Sequence, residues 1–319
     1  MPKIDTALTR MLGIEYPIIM APMFLVSNTT MVIEAAKAGI TGAIPALNYR
    51  TDDDFRKALE EIKKATDKPF GINLIANQSN IRLEEQLKTC VDFEVPFIIT
   101  SLGSPQLIID ACKKKGAKVF CDVVDLTFAQ KVEAMGADAV IAVNNLAGGH
   151  AGNLSPEEII TLLKNNCKIP VISAGGVGNG KDLKKMLDLG ACGVSVGSPF
   201  IASIEAPVSH EYKQACVDYK AKDIVRTTKL SGTPCTVINT PYVQKEGLEQ
   251  NWFEKMLSKN KSIKKYVKML TFYKGMKMLE KAAFSASYQT YWCAGKSIED
   301  VHSIRPITKI VEDLVADYQ

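Results

Sequence analysis

Gly136-Ala137-Asp138-Ala139-Val140-Ile141-Ala142-Val143-Asn144-Asn145-Leu146-Ala147-Gly148-Gly149-His150-Ala151-Gly152-Asn153-Leu154-Ser155-Pro156 is the stretch from which the architecture can be read. It opens on a run, Asp138–Ala142, that is nearly continuous in hydrophobicity rather than alternating. Strands covered on both faces, as in parallel sheets, have that character. A glycine-rich loop follows. Then Ser155-Pro156-Glu157-Glu158 starts a helix, with serine to cap it, proline in the first turn and acids against the positive end of the dipole. The stretch is one strand–loop–helix unit.

The same unit recurs along the chain. Comparable runs are Pro17–Ala21, Thr41–Pro45, Phe70–Ile75, Pro96–Thr100, Ala117–Cys121, Ile169–Ser173 and Cys192–Val196, which makes eight with Asp138–Ala142. Helical patterns lie between them. Thr51 caps a segment carrying Phe55, Leu59 and Ile62, and Gln106–Lys115, Leu126–Met135 and Lys181–Leu189 end at Gly116, Gly136 and Gly190. Strands alternating with helices allow a doubly wound open sheet or a closed TIM (β/α)8 barrel, and the count and even spacing favour the barrel. Residues 205–290 break the rhythm. They read as a helical insertion after strand eight, a lid domain rich in aromatics such as Trp252, Phe253, Tyr266, Phe272 and Tyr273. Residues 1–204 and 291–319 then form the barrel, with Asp300–Tyr318 as a final amphipathic helix.

Composition narrows the class. The 319 residues are 46 % apolar and 23 % charged, which suits a globular protein and argues against disorder. Lys+Arg 39 against Asp+Glu 35 gives +4, spread along the chain, so no nucleic-acid partner is expected. No run of apolar residues is long enough to span a bilayer, and no membrane association is expected. The eight cysteines form no C-x-x-C pair and read as reduced thiols of a cytosolic (cytoplasmic) protein, with no metal site. His210 and His302 read as surface residues.

In such barrels the active site lies at the C-terminal ends of the strands. After strand six, Gly148, Gly149 and Gly152 surround His150, which suits close approach of backbone to a flat ligand and a histidine for proton transfer or for binding an anion. A flexible glycine turn with an incidental histidine is the plain alternative. After strands seven and eight come Ser173-Ala174-Gly175-Gly176-Val177-Gly178-Asn179-Gly180 and Ser195-Val196-Gly197-Ser198. Paired loops at this place often bind phosphate, although glycines that only cap helices have the same look. After strand one, Ala21-Pro22-Met23 gives a proline-fixed loop, and Asn73 in strand three offers a donor and an acceptor to a heterocycle or to barrel backbone.

Taken together these motifs resemble the FMN-dependent nitronate monooxygenases, formerly 2-nitropropane dioxygenases, and their relatives the flavin-type enoyl-acyl-carrier-protein reductases. The likeness runs from Ile14-Glu15-Tyr16-Pro17-Ile18-Ile19-Met20-Ala21-Pro22-Met23 to Ala294-Gly295-Lys296, through the Gly136–Gly152 stretch, Ile169–Gly176 and Val196-Gly197-Ser198-Pro199-Phe200, with Glu205 following. It implies FMN at the barrel mouth. The flavin ring would meet Ala21, Pro22, Met23 and Asn73, and the phosphate would meet Gly175, Gly176, Gly197 and Ser198. Gly148, Gly149, Ser173, Ser195 and Val196 complete the expected cofactor-binding set. His150 matches the active-site histidine of the family and would hold or deprotonate a nitro substrate. The chain departs from the family pattern at Met20 (commonly Gln), Leu146 (commonly acidic), Pro199 (commonly Arg) and Lys296 (commonly Gln).

The implied activity is oxidation of an alkyl nitronate, a small-molecule substrate, with oxygen to a carbonyl compound and nitrite. The alternative on the same barrel is NAD(P)H-dependent reduction of an enoyl thioester or a quinone. A flavin-binding protein without catalysis and a phosphate-sugar isomerase without flavin are two further readings. The exposed face of 205–290 is a candidate homodimer surface.

Overall fold

The computed structural model of the chain describes residues 2–77, 80–230, 234–249, 277, 291–316 and 318. Eight parallel strands close into one barrel: β1 (Ile18–Met20), β2 (Thr41–Pro45), β3 (Gly71–Ile75), β4 (Phe97–Ser101), β5 (Lys118–Val123), β6 (Ala139–Val143), β7 (Val171–Ala174) and β8 (Gly193–Val196). Strand β8 pairs with β1 through Ile19↔Ser195, which seals the ring. Every apolar run read from the sequence is one of these strands, with ends shifted by one or two residues. The architecture is that of a TIM barrel.

Strand alternation sorts the core into two shells. Ile19, Ala43, Phe97, Ile99, Phe120, Ala139, Ile141 and Ile172 face inward and pack together. Their neighbours, among them Met20, Ile44, Ile72, Ile98, Cys121, Val140 and Val194, face outward against the helices. Helix α1 (Ala7–Leu12) sends Leu8 and Leu12 into the inner cluster and closes the N-terminal end of the barrel. Phe97 and Phe120 stack inside at 5.3 Å. Gly71 is what makes room for them, since a Cβ there would lie 2.2 Å from the Phe97 ring.

Helices α2 (Thr29–Lys37), α3 (Asp52–Ala65), α4 (Leu83–Asp92), α5 (Gln106–Lys113), α6 (Leu126–Met135), α7 (Pro156–Asn166) and α8 (Gly180–Leu189) form the outer layer. Their ends follow local chemistry. Ser155 and Glu158 make a reciprocal capping box at α7. Gly116, Gly136 and Gly190 have φ of +74°, +95° and +105°, the left-handed region in which glycine ends a helix. All eight cysteines are free; Cys235 and Cys293 have their sulfurs 3.8 Å apart. His210 and His302 are exposed. Among the described residues no helix is long and apolar enough to cross a membrane.

Two expectations need correction. Residues 205–290 read as a helix-rich insertion. Their described part holds helix α9 (His210–Asp218), then an antiparallel ribbon of β9 (Ile224–Thr227) and β10 (Cys235–Ile238), then helix α10 (Pro241–Glu246). The runs Ile224-Val225 and Cys235-Thr236-Val237-Ile238 are short β-branched segments, and a count of aromatics over 86 positions hid them. Trp252, Phe253, Tyr266, Phe272 and Tyr273 lie outside the described residues. The expected helix from Asp300 to Tyr318 also begins later. A short 3-10 turn (Lys296–Asp300) and an extended stretch precede the helix Ile307–Ala316. Pro306 holds the residue before it out of the helical region, and Arg305 instead bridges in parallel to Ser203. Glu205 caps the new helix start, its carboxylate accepting from the Ile307 N–H at 3.1 Å.

Candidate active site

The inward positions at the C-terminal ends of the strands form a polar layer above the apolar interior. Asn73 of β3, Ser101 of β4, Asp122 of β5 and Ser195 of β8 belong to it. Asn73 Nδ2 donates to the Ile99 carbonyl at 3.2 Å and to Ser101 Oγ at 2.8 Å. Ser101 Oγ in turn donates to Asp122 Oδ2 at 2.5 Å.

The loop after β1 is held by a serine that the sequence reading passed over. Ser27 Oγ accepts from the Met23 N–H at 2.8 Å and donates to the Ala21 carbonyl at 3.1 Å. Ala21 N–H donates to Val196 O at 2.8 Å. Ala21, Pro22 and Met23 are thereby half-buried beside the end of β8. A Cβ on Gly197 would sit 3.4 Å from Met23 Sδ and 3.7 Å from the Ala21 Cβ, so the loops after β1 and β8 lie side by side.

The glycines after β7 answer to tight geometry. Gly175 and Gly176 have φ of +108° and +77°. A Cβ on Gly175 would lie 2.5 Å from Ala147 N, and one on Gly176 would lie 2.6 Å from Leu146 Cδ1. Asn144, fully buried at the end of β6, joins the two loops. Its Nδ2 donates to the Gly175 carbonyl at 2.9 Å and its Oδ1 accepts from Leu146 N–H at 2.9 Å. Among the described residues no protein group accepts from the backbone N–H of Gly176, Val177, Gly197 or Ser198. Four such donors at the ends of two adjacent strands suit an anion.

The histidine loop is clasped from outside the barrel. On β10, the Thr236 hydroxyl donates to Ala147 O at 2.7 Å, and the Thr236 N–H donates to Gly149 O at 2.8 Å. From β9, Arg226 donates to the carbonyl of Gly152 and, at 2.9 Å, to Asn153 Oδ1. On another side Lys296 N–H donates to Leu146 O at 2.9 Å, and Gly148 meets Gly295 so closely that a Cβ on it would be 2.9 Å from Gly295 N. Ser198 Oγ accepts from Gly295 N–H at 2.8 Å. His150 lies on this loop at the barrel's C-terminal end. Its ring keeps access to solvent, yet the surrounding loops crowd it, and the lost hydration lowers its pKa below the ordinary imidazole value. The neutral, proton-accepting form therefore prevails near neutral pH.

These residues fit FMN. Backbone donors suit its phosphate, and the Asn73 layer offers polar contacts to a heterocycle edge. Of the residues expected from the sequence, Ala21, Pro22, Met23, Asn73, Gly148, Gly149, Gly175, Gly176, Ser195, Gly197 and Ser198 all come to this end of the barrel. Ser173 and Val196 do so by backbone only. The Ser173 hydroxyl turns to Met186 Sδ on α8, at 3.5 Å, and Val196 packs in the outer shell. Asn144, Ser27, Thr236, Ser101 and Asp122 were missed. For Asn144 and Asp122 a signal was present, a polar residue at the end of an apolar run. For Thr236 there was none, since its partners lie 89 and 87 positions away.

Comparison with known proteins agrees with this geometry. The family model described as nitronate monooxygenase matches residues 5–317. A Mycobacterium tuberculosis protein named (3aS,4S,5R,7aS)-5-hydroxy-7a-methyl-1-oxo-octahydro-1H-indene-4-carboxyl-CoA dehydrogenase is 30% identical over 246 residues, covering 76% of this chain and 68% of that protein. A nitronate monooxygenase of Paraburkholderia phytofirmans is 28% identical over 272 residues, covering 71% and 74%. Among solved structures, FabK from Thermotoga maritima superposes with a TM-score of 0.84 at 29% identity, covering 99% of this chain and 96% of that one.

Proposed function

The chain belongs to the nitronate monooxygenase family, and from that footing we propose that it is an FMN-dependent oxidoreductase that oxidises alkyl nitronates with oxygen to a carbonyl compound and nitrite. The observation that carries the reading is the clasped histidine loop. The loop that carries His150 is held by Thr236 and the Gly148–Gly295 contact, next to the unengaged N–H groups of Gly176, Val177, Gly197 and Ser198.

FMN, when bound, supplies the electron-accepting chemistry of the reaction. The chain's own residues do the rest. Gly176, Val177, Gly197 and Ser198 offer N–H groups to a phosphate. Ala21, Pro22, Met23 and Asn73 would meet the ring. His150, neutral near pH 7, takes a proton from a nitroalkane carbon or donates a hydrogen bond to the nitronate oxygens. The described part of 205–290 contributes the ribbon that fixes that histidine's loop, so that part of the insertion serves as a frame.

A second reading has specific support. Leu146, which packs on Gly176, stands where the family commonly has an acid, and the mycobacterial relative is named as acting on a CoA compound. Both suit a thioester substrate, and the alternative on the same barrel is NAD(P)H-dependent reduction of an enoyl thioester or a quinone. An anaerobic absorbance titration of the FMN-loaded protein separates the two readings. Bleaching by an alkyl nitronate and not by NADH or NADPH supports the first. Bleaching by a nicotinamide alone refutes it and supports an NAD(P)H-dependent reductase acting on an enoyl thioester or a quinone.

A further inference from the structure

Asp122 is an acid with no assigned work, in a place where acids are costly. It follows Cys121 at the inward face of β5, directly above Phe120 and the apolar interior. Among the described residues it has no ion-pair partner, and its one hydrogen bond comes from Ser101. A charge in such surroundings is retained at a free-energy cost unless something else uses it.

The hydrogen bonds around it have a direction. The carbonyl of Ile99 can only accept, so the Asn73 atom facing it at 3.2 Å must be the amide nitrogen. That nitrogen also donates to Ser101 Oγ, which leaves the serine hydrogen for Asp122, and a carboxylate can only accept it. Asn73 Oδ1 and the second oxygen of Asp122 have no partner among the described residues. The β3–β5 side of the mouth therefore carries acceptors and one negative charge. On the other side of the inner layer, Val143 and Ala174 are apolar and packed against the interior cluster.

We propose that Asp122 is a positioning residue of the cofactor site: through Ser101 it reinforces the amide orientation that the Ile99 carbonyl gives Asn73, and its carboxylate disfavours the build-up of negative charge on bound FMN, holding the reduction potential down. Burial raises the Asp122 pKa to about 6, with the Ser101 hydrogen bond acting against the rise, so the group is still largely ionised at pH 7 to 8. This inference rests on FMN occupying the mouth.

The test uses the full chain and four proteins: wild type, Asp122→Asn, Asp122→Glu and Ser101→Ala. FMN dissociation constants come from quenching of flavin fluorescence, and midpoint potentials from a reductive titration against a reference dye at pH 8. Asp122→Asn should bind FMN with a midpoint shifted to more positive potential. Asp122→Glu should restore the wild-type side of that shift. Ser101→Ala should leave the charge in place and weaken FMN binding about fivefold to tenfold, the loss of one hydrogen bond. If Asp122→Asn fails to fold, Asp122→Ser removes the same charge. A charge-removed variant with the wild-type potential overturns the proposal. Failure of wild type to bind FMN overturns the cofactor reading instead, and the two failures are distinct.

Discussion

The hydroxyl of Thr236 donates a hydrogen bond to the carbonyl oxygen of Ala147 over 2.7 Å, and by it a ribbon inserted after the last barrel strand grips the loop that carries His150. Two residues, Gly148 and Gly149, separate Ala147 from the histidine, and Gly149 has φ of +70°. A glycine loop has little stiffness of its own, so the histidine's position depends on these outside contacts.

Replacing Thr236 by Val keeps the shape and removes the donor, leaving buried carbonyl groups less well satisfied at a cost of about 1–3 kcal/mol. We expect kcat/KM to fall about tenfold and the acid limb of the pH–kcat profile to move as the environment of His150 changes. Thr236→Ser should recover most of both. A Thr236→Val protein whose pH profile matches wild type would show the clasp to be structural only.

His150→Ala should bind FMN as wild type does and lose turnover, because the cradle is made by other residues. In wild type the active form is neutral imidazole. Since crowding lowers the pKa of His150, its acid limb should fall below the ordinary histidine value of about 6.5. Steady-state rates between pH 4.5 and 8 check this; a limb above 6.5 would contradict it.

Two glycines with positive φ should respond very differently to alanine. At Gly116, φ is +74° and a Cβ meets nothing within 4 Å, so only the backbone term of about 1 kcal/mol is lost. At Gly175, φ is +108° and the Cβ would lie 2.5 Å from both Ala147 N and Asn144 Oδ1. Gly175→Ala should cost about 3 kcal/mol or more and abolish FMN binding. Urea midpoints and flavin retention on a desalting column measure both.

Asp122 also makes a pH-dependent contribution to stability. Its folded pKa of about 6 exceeds the ordinary 3.8, so the folded chain holds this proton more tightly than the unfolded chain does. Stability from this group is fully present below about pH 4 and is lost as pH rises through 6, a change on the order of 3 kcal/mol. Asp122→Asn should therefore gain on wild type as the buffer goes from pH 4.5 to 8. A constant difference in urea midpoint across that range would refute it.

The barrel was legible because its signals are local and repeated. Runs such as Asp138–Ala142 are apolar on both faces, and Gly136 or Ser155 mark element ends through rules that act over a few residues. The site was legible where the fold itself places it. Gly175, Gly176, Gly197 and His150 follow strand ends, and a barrel gathers strand ends at one mouth. The ribbon was not legible, because β9 and β10 are four residues each and are stabilised by pairing with one another and with the Cys293 segment. The late start of the last helix needed Glu205, 102 positions away, to supply the cap.

Sequence alone determined the eight strands, the ends of most helices and the loops that carry chemistry, because hydrophobic period, capping and glycine geometry act between near neighbours. Tertiary structure alone decided what holds those loops in register. The Thr236 clasp, the Asn144 tie between β6 and β7, the Gly148–Gly295 contact and the Asn73–Ser101–Asp122 chain join residues far apart in sequence. Hydrogen bonds of that kind are specified by where closure of the barrel brings two backbones, and no spacing along the chain encodes it.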